Sequence, residues 1–323
     1  MRLNMPNYTD IKVQRIQAIR LPVTNADCSK NFYTQALGFE TVSDIIVDGK
    51  NYSDLEAVAQ AKIRIVTLKL GSEVIKLMQY LNVEGKPIPK DSQSNDLWFQ
   101  HLAIVVSNMD SAYAHLQSFK TEYISTEPQT MPPSNAASAG VRAFKFKDPD
   151  GHDLELIWFP DDKGQDKWHQ ETNHLFLGID HSAITVGDTK KSLKFYRDCL
   201  GMQVEKGSLN SGKIQANLDG LPEAEVQVTP LRPAKGGLGI EMLDYIVPKN
   251  GRPIPSDWRS CDIASVQVEL VVNDIEKTLD KLQQHGVECV SSQVVDFTSS
   301  ANSYCQGFLV KDPNGHLMLL IAE

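Results

Sequence analysis

The chain has 323 residues, of which 41% are apolar and 23% charged, and a formal net charge of −9. That balance supports a hydrophobic core of ordinary size. It argues against nucleic acid or an anionic membrane as partner, because both select clustered Lys and Arg. Five cysteines without close pairing read as reduced thiols. With no signal-like start and no run of about 18 apolar residues, the expectation is a cytoplasmic protein acting on a small molecule.

In chain order, residues 15–81 predict a strand, a helix ending before Gly38, and strands that include KIRIVTLKL and EVIKLMQYL. Residues 98–159 predict a strand (HLAIVV), a helix (DSAYAHLQSF), a proline-rich loop and a closing hairpin. That hairpin, FKFKDPDGHDLELIWF (144–159), reads as strand, four-residue Asp-Pro-X-Gly turn, strand. A polar, glycine-containing stretch over 161–175 then reads as a linker.

The residues after the linker repeat those before it. FLVKDPNGHLMLLIAE (308–323) parallels the first hairpin, and HSAITVGDTKKSLKFYRDCLGMQ (181–203) parallels AIRLPVTNADCSKNFYTQALGFE (18–40). NGRPIPSDWRSCD (250–262) parallels EGKPIPKDSQSND (84–96), and QVELVVNDIEKTLDKL (267–282) parallels HLAIVVSNMDSAYAHL (101–116). Gly38 and Gly201 both fall where a helix needs a left-handed closing residue. The chain thus divides into halves at 12–160 and 176–323, each half holding two β-α-β-β-β modules, an α+β architecture.

An FY pair in the first helix of each half and a DPxGH hairpin closing it resemble the vicinal-oxygen-chelate superfamily. That superfamily includes glyoxalase I, extradiol dioxygenases, epimerases and antibiotic-resistance proteins. The resemblance spans nearly the whole chain, and it implies four βαβββ modules forming two glyoxalase-like domains. It also implies ligand positions on the first and last strand of each module. Carried onto this sequence, those positions hold Ala18 and Lys76, His101 and Glu155, His181 and Glu241, and Gln267 and Leu319. Matching Lys76 to Glu241 needs a one-residue gap before the PIP motif.

Pairing decides what these residues make. If each half closes on itself, neither cavity collects a good ligand set. If module two faces module three, one cavity holds His101, Glu155, His181 and Glu241. The other then keeps Ala18, Lys76, Gln267 and Leu319, and the second pairing is the expected one. Two imidazoles and two carboxylates suit one divalent metal ion (Ni, Zn, Co, Mn or Fe) with open positions for a chelating substrate. On this resemblance the metal stabilises an enediolate-like intermediate as a Lewis acid, and Glu155 or Glu241 acts as base.

Strand alternation places Ala103 and Val105 beside His101, and Ala183 and Thr185 beside His181. Symmetric closure of the first hairpin over Asp148–Gly151 sets Phe144 opposite Glu155 and turns Arg142 to the same face, a candidate grip for an anionic substrate group. His152 and His316 read as turn residues. His169 and His174 read as linker residues, and His115 and His285 as helix-surface residues. Lys76 and Gln267 are expected to fill a collapsed second cavity.

Three functions are compatible with this reading. The first is a metal-dependent lyase or isomerase of the glyoxalase I type. The second is an extradiol-type dioxygenase, whose usual ligand positions here hold His181, Gln267 and Leu319. The third is a small-molecule binding protein without catalysis, of the bleomycin-resistance type.

Overall fold

A computed structural model describes residues 11–297 and 304–323. Module one runs β1 (Val13–Pro22), α1 (Ala26–Leu37), β2 (Glu40–Val47), α2 (Lys50–Glu56), β3 (Ile63–Leu70) and β4 (Glu73–Tyr80). Module two runs β5 (Phe99–Val106), α3 (Met109–Leu116), β6 (Gln129–Thr130), β7 (Arg142–Lys147) and β8 (Asp153–Trp158). Module three opens with β9 (Phe176–Thr185) and α4 (Thr189–Leu193), which continues as a π-type turn over Lys194–Cys199. It goes on through β10 (Gln203–Val204), β11 (Ser208–Asn210), α5 (Gly212–Asp219), β12 (Glu225–Arg232) and β13 (Gly239–Val247). Module four holds β14 (Gln267–Val272), α6 (Ile275–Gln284), β15 (Val295–Asp296), β16 (Gln306–Lys311) and β17 (Leu317–Ala322). Gly38 closes α1 at φ 71°, and Gly201 follows the module-three turn at φ 66°, a region that costs an L side chain energy.

Two sheets result, and neither belongs to one half of the sequence. One runs β15-β16-β17-β14-β1-β4-β3-β2, joining modules one and four. The other runs β10-β12-β13-β9-β5-β8-β7-β6, joining modules two and three, with β11 added on β12. The central seams are antiparallel, β1 against β14 and β5 against β9. Leu102 and Ile104 of β5 pack toward the helix layer in the main core, while Ala103 and Val105 face the opposite side. Small side chains on that inner face leave the curled sheet a cavity rather than a filled core.

The helix layer is tied by a different pairing. The FY tyrosine of α1, Tyr33, donates to Asp148 of the module-two turn at 3.1 Å, and Tyr196 donates to Asp312 of the module-four turn at 2.9 Å. Each tyrosine ring is fully buried. The two repeated motifs are thus joined to each other by one buried hydrogen bond within each half. Sheets tie module one to four and two to three; these bonds tie one to two and three to four.

Both DPxGH turns are one residue longer than the four-residue reading. Asp148 N donates to His152 O, and the strands pair from Lys147↔Asp153 onward. The extra residue is needed because Asp148 Oδ1 accepts from both Asp150 N and His152 N, an Asx-type turn that closes around five residues. This shifts the hairpin register by one. Lys145, not Phe144, lies opposite Glu155.

The stretch between the halves carries more structure than a linker reading implies. Asp166–His169 forms a 3-10 turn, and Trp168 is buried against the inner face of the module-two sheet. The helices α2 and α5 are likewise additions to the β-α-β-β-β plan. No helix among the described residues is long and apolar enough to cross a membrane.

Candidate metal centre

His101 and His181 stand on adjacent central strands, β5 and β9, each one step from an alanine across the seam (His101↔Ala183, Ala103↔His181). Glu155 enters from β8, in register with Ala103, and Glu241 from β13, in register with Ala183. The structure therefore brings all four expected residues to one cavity wall. The cavity measures about 330 Å³. Among the described residues, His101, Glu155 and His181 form the one group of three potential metal donors with all donor atoms within 4.8 Å of one another.

The separations fit a shared ion. His101 Nε2 is 3.1 Å from His181 Nε2 and 3.2 Å from Glu155 Oε2. Glu241 Oε2 is 3.5 Å and Glu155 Oε2 3.9 Å from His181 Nε2. Adjacent donors bound about 2.1 Å from one ion lie about 3.0 Å apart in an octahedron and about 3.4 Å in a tetrahedron. Glu241 stands farther out, with 23% of its side chain exposed.

The outer nitrogens decide what the inner ones present. His101 Nδ1 meets the side-chain carbonyl oxygen of Gln100, and His181 Nδ1 meets Asp180 Oδ2 at 3.0 Å. Both partners accept, so both Nδ1 atoms carry the hydrogen, and both Nε2 lone pairs converge. Two ring nitrogens 3.1 Å apart beside a carboxylate must share a proton or a metal ion, and among the described residues this is the group whose donors lie close enough for the latter.

Residues adjacent on a strand normally point to opposite faces. Here the seam has register shifts between Phe99 and His101, and between the His181 and Ile179 pairings. These bulges let Gln100 and Asp180 turn toward the histidines they precede. Asp180 is in turn held by Arg232 Nη2 at 2.8 Å, Gln165 Nε2 at 2.8 Å and Trp168 Nε1 at 3.0 Å. Gln165 and Trp168 belong to the segment between the halves.

Protonation is set by these contacts. Burial, the largest influence on His101, pulls its imidazole down to about 4 against the attraction of Glu155. Burial works against the charge of Glu155, but His101 and Lys145 outweigh it and hold the carboxyl below the usual carboxylate range. Glu241 goes the other way, raised by burial and by the nearby Asp180 and Glu155 carboxylates against the pull of His181. His181 is raised despite burial, chiefly by Glu241 and Asp180. A proton or a metal ion at its Nε2 answers the same surrounding charge.

Arg142 does not line this cavity. It pairs with Asp110 of α3 through two hydrogen bonds of 2.7 and 3.1 Å on the helix side of the sheet. The one-residue register shift accounts for this: Ala143, Lys145 and Glu155 share the cavity face, while Arg142 and Phe144 face outward. Lys145 is the cation that the sequence reading missed. It is 2% exposed, and its Nζ is 2.7 Å from Asp219 Oδ1 and 3.3 Å from Gln100 Oε1.

The second cavity is filled by salt bridges. Arg20, 1% exposed, contacts Glu56 at 2.8 Å, Glu269 at 3.6 Å and Gln267 Oε1 at 2.6 Å. Lys76 Nζ lies 2.8 Å from both oxygens of Glu269, and Gln267 donates to Glu56 at 2.7 Å. Leu319 packs in an apolar cluster with Phe297 and Tyr304. Two cations and two carboxylates balance there without a metal. Lys76 and Gln267 thus fill the space together with Arg20, Glu56 and Glu269, which the sequence reading had not singled out.

The other buried histidines keep to structural places. His152 and His316 are turn residues, as expected: His152 bridges Asp148 and the carbonyl of Ile263, and His316 contacts the carbonyl of Thr185.

A family model described as "Glyoxalase/Bleomycin resistance protein/Dioxygenase superfamily" matches residues 15–156 and again 178–320. The chain belongs to that superfamily. Among curated relatives, lactoylglutathione lyase of Schizosaccharomyces pombe is 23% identical over 225 residues, 65% of this chain and 67% of that protein. Among solved structures, glyoxalase I from Zea mays superposes with a TM-score of 0.64 at 16% identity, covering 98% of this chain and 94% of that one. A putative dioxygenase from Bacillus subtilis subsp. subtilis superposes at 0.60 and 14% identity, over 96% and 86% of the two chains. These structural likenesses establish the glyoxalase-superfamily fold. Chemistry must come from the residues.

Proposed function

We propose that this chain is a metal-dependent lyase or isomerase of the glyoxalase I type, acting on a small substrate that chelates through adjacent oxygens. The observation that carries this reading is the convergence of the His101 and His181 Nε2 lone pairs, 3.1 Å apart, with Glu155 beside them and Glu241 at the rim. The swapped module pairing supports it, because it gathers the expected donors in one cavity. The sequence likeness to a lactoylglutathione lyase supports it too.

His101, His181, Glu155 and Glu241 would hold one divalent ion. That ion supplies Lewis-acid polarisation of substrate oxygens when bound. Glu155, buried and held against His101, keeps its charge and its place. Glu241 is the residue assigned to proton transfer: it is the more exposed carboxylate, it contacts the cluster only at its edge, and its surroundings favour holding a proton. Val141, Ile157 and Leu243 add apolar surface to the cavity lining.

A second reading rests on a specific feature. The tight group is two histidines and one carboxylate, the donor set of non-haem iron oxygenases. Elemental analysis of protein purified without chelator tests both, with about one divalent metal per chain expected. Turnover of hemithioacetals under anaerobic conditions supports the lyase. Substrate-dependent oxygen uptake with a catechol supports the oxygenase, and an absence of bound metal returns the chain to a binding role.

A further inference from the structure

Gln100 is an odd partner for a metal-site histidine, because an amide has two faces. Rotated by half a turn, its NH2 group would meet His101 Nδ1, and the imidazole would then place its hydrogen on Nε2. That tautomer points a hydrogen at His181 and Glu155 and offers no lone pair. His181 has no such ambiguity, since the Asp180 carboxylate only accepts.

We propose that Lys145 is a positioning residue: its ammonium, anchored on Asp219, locks the Gln100 amide with the carbonyl oxygen toward His101, and so fixes the His101 tautomer that presents Nε2 to the site. An ammonium only donates, so the atom of Gln100 facing it must be the carbonyl oxygen, and Lys145 Nζ is 3.3 Å from that oxygen. The same oxygen meets His101 Nδ1. Gln100 Nε2 turns the other way, to the hydroxyl of Tyr245 at 3.2 Å. Tyr245 must then spend its own hydrogen elsewhere, and it donates to Asp219 Oδ2 at 2.9 Å. Gln215 donates to the same oxygen at 2.6 Å, and Lys145 to Oδ1 at 2.7 Å. Asp219 therefore orders both groups that hold the amide, and every member of the chain is buried.

The second cavity shows what the arrangement is for. There Glu56 occupies the place of Asp219 and accepts from Tyr80 as Asp219 does from Tyr245. But the strand position matching Lys145 is Leu309, and the position of His101 is Gln267. Where no histidine needs a tautomer set, the buried carboxylate binds Arg20 instead. The tyrosine-carboxylate pair is common to both cavities; the lysine accompanies the histidine.

This inference rests on the metal-site reading for its purpose but not for its test. Long-range ¹⁵N–¹H correlation spectra of the metal-free protein report which nitrogen of His101 carries the hydrogen. Wild type is expected to show the Nδ1–H form. An Nε2–H form there overturns the proposal outright, whatever any variant does. Lys145→Met/Asp219→Asn removes both buried charges together, and its spectra are expected to show His101 divided between tautomers. Co²⁺ affinity is expected to fall about 10- to 100-fold, the usual consequence of losing an outer partner. Adding Gln100→Glu to that pair supplies an acceptor that needs no orienting, and it is expected to restore the single Nδ1–H form. A folded double variant with an unchanged tautomer and Co²⁺ affinity within about twofold of wild type, well short of the loss expected for an outer partner, overturns the proposal. Wild type that shows the Nδ1–H form but binds no Co²⁺ overturns the metal reading alone.

Discussion

Two glutamates of one cavity wall sit in unlike surroundings, and their variants should separate. Glu155 is 5% exposed and paired with His101 at 3.2 Å. Glu155→Ala removes a charge that the buried donors require, and metal affinity is expected to drop at least about 10- to 100-fold. Glu241→Gln keeps a donor oxygen at the rim but cannot take a proton. Its metal content, read by elemental analysis, is expected to stay near wild type while kcat falls about 10²- to 10⁴-fold. Equal metal loss in both variants would remove the distinction between ligand and base. A second residue-scale expectation concerns His152, whose two nitrogens both face acceptors. Burial opposes its charge, but Asp148 raises its pKa from 6.5 to about 9. A raised folded-state value means that the stabilisation is complete below pH 6.5 and lost as pH climbs through about 9. Wild type should thus melt above His152→Gln at about pH 6, with the gap narrowing toward about pH 10. That His101, Glu155, His181 and Glu241 would meet in one cavity could be read from the sequence because the family resemblance, laid over the repeat, marked their strand positions. Gln100 and Asp180 could not, because the bulges that turn them inward leave no trace in an alternation pattern. Arg142 was misplaced by one residue of turn, which in a strand reverses the face.

At the scale of elements, the unforeseen pieces are short and each carries a consequential residue. The helices α2 and α5 bring Glu56 to Arg20 and Asp219 to Lys145. Helices of seven or eight residues have little periodicity to read, and the pattern alone suggested strands and loops. Matching acids at corresponding places in the repeat were the one available signal. The segment between the halves looked like a spacer on composition, yet it supplies two of the three groups that hold Asp180. Its fit is tight at Gly178: a Cβ there would collide with Glu73 and lie 2.8 Å from the Trp168 ring. Gly178→Ala is expected to cost about 1–3 kcal/mol through this overpacking and to weaken Co²⁺ binding. Chemical denaturation and metal titration would check it; an unchanged metal affinity would mean that Asp180 does not need Trp168. In the other cavity, Lys76→Ala takes a partner from Glu269, a carboxylate with no exposure. A loss of about 1–3 kcal/mol is expected, with metal content unaltered. That is more than an ordinary surface substitution, because the lysine is part of an internal salt cluster.

At the scale of the whole molecule, the repeat made the fold readable and the distribution of His and Glu over the expected ligand positions made the pairing readable. Four slots scattered by sequence fall into one cavity only when modules two and three share a sheet, as they do. A metal held across the β5–β9 seam would bind the folded state alone. At a free metal concentration about 100 times Kd it should add about 2.7 kcal/mol to unfolding free energy. Chelator should therefore lower the melting temperature of wild type and of Lys76→Ala, and leave Glu155→Ala nearly unmoved. A wild type indifferent to chelator would count against a bound ion.

The alternation of sheet ties and tyrosine ties has one more consequence. Cutting the backbone between residues 160 and 176 would separate two peptides that still share both sheets and both seams. Such a nicked protein should survive gel filtration as one particle, and its peptides, denatured and mixed, should find each other again. Either peptide alone would expose two long central strands as bare edges, β1 and β5 in the first and β9 and β14 in the second. Bare edges recruit foreign strands. The halves of this gene product are therefore expected to aggregate when made singly and to rescue one another when made together, a fragment complementation built into the weave.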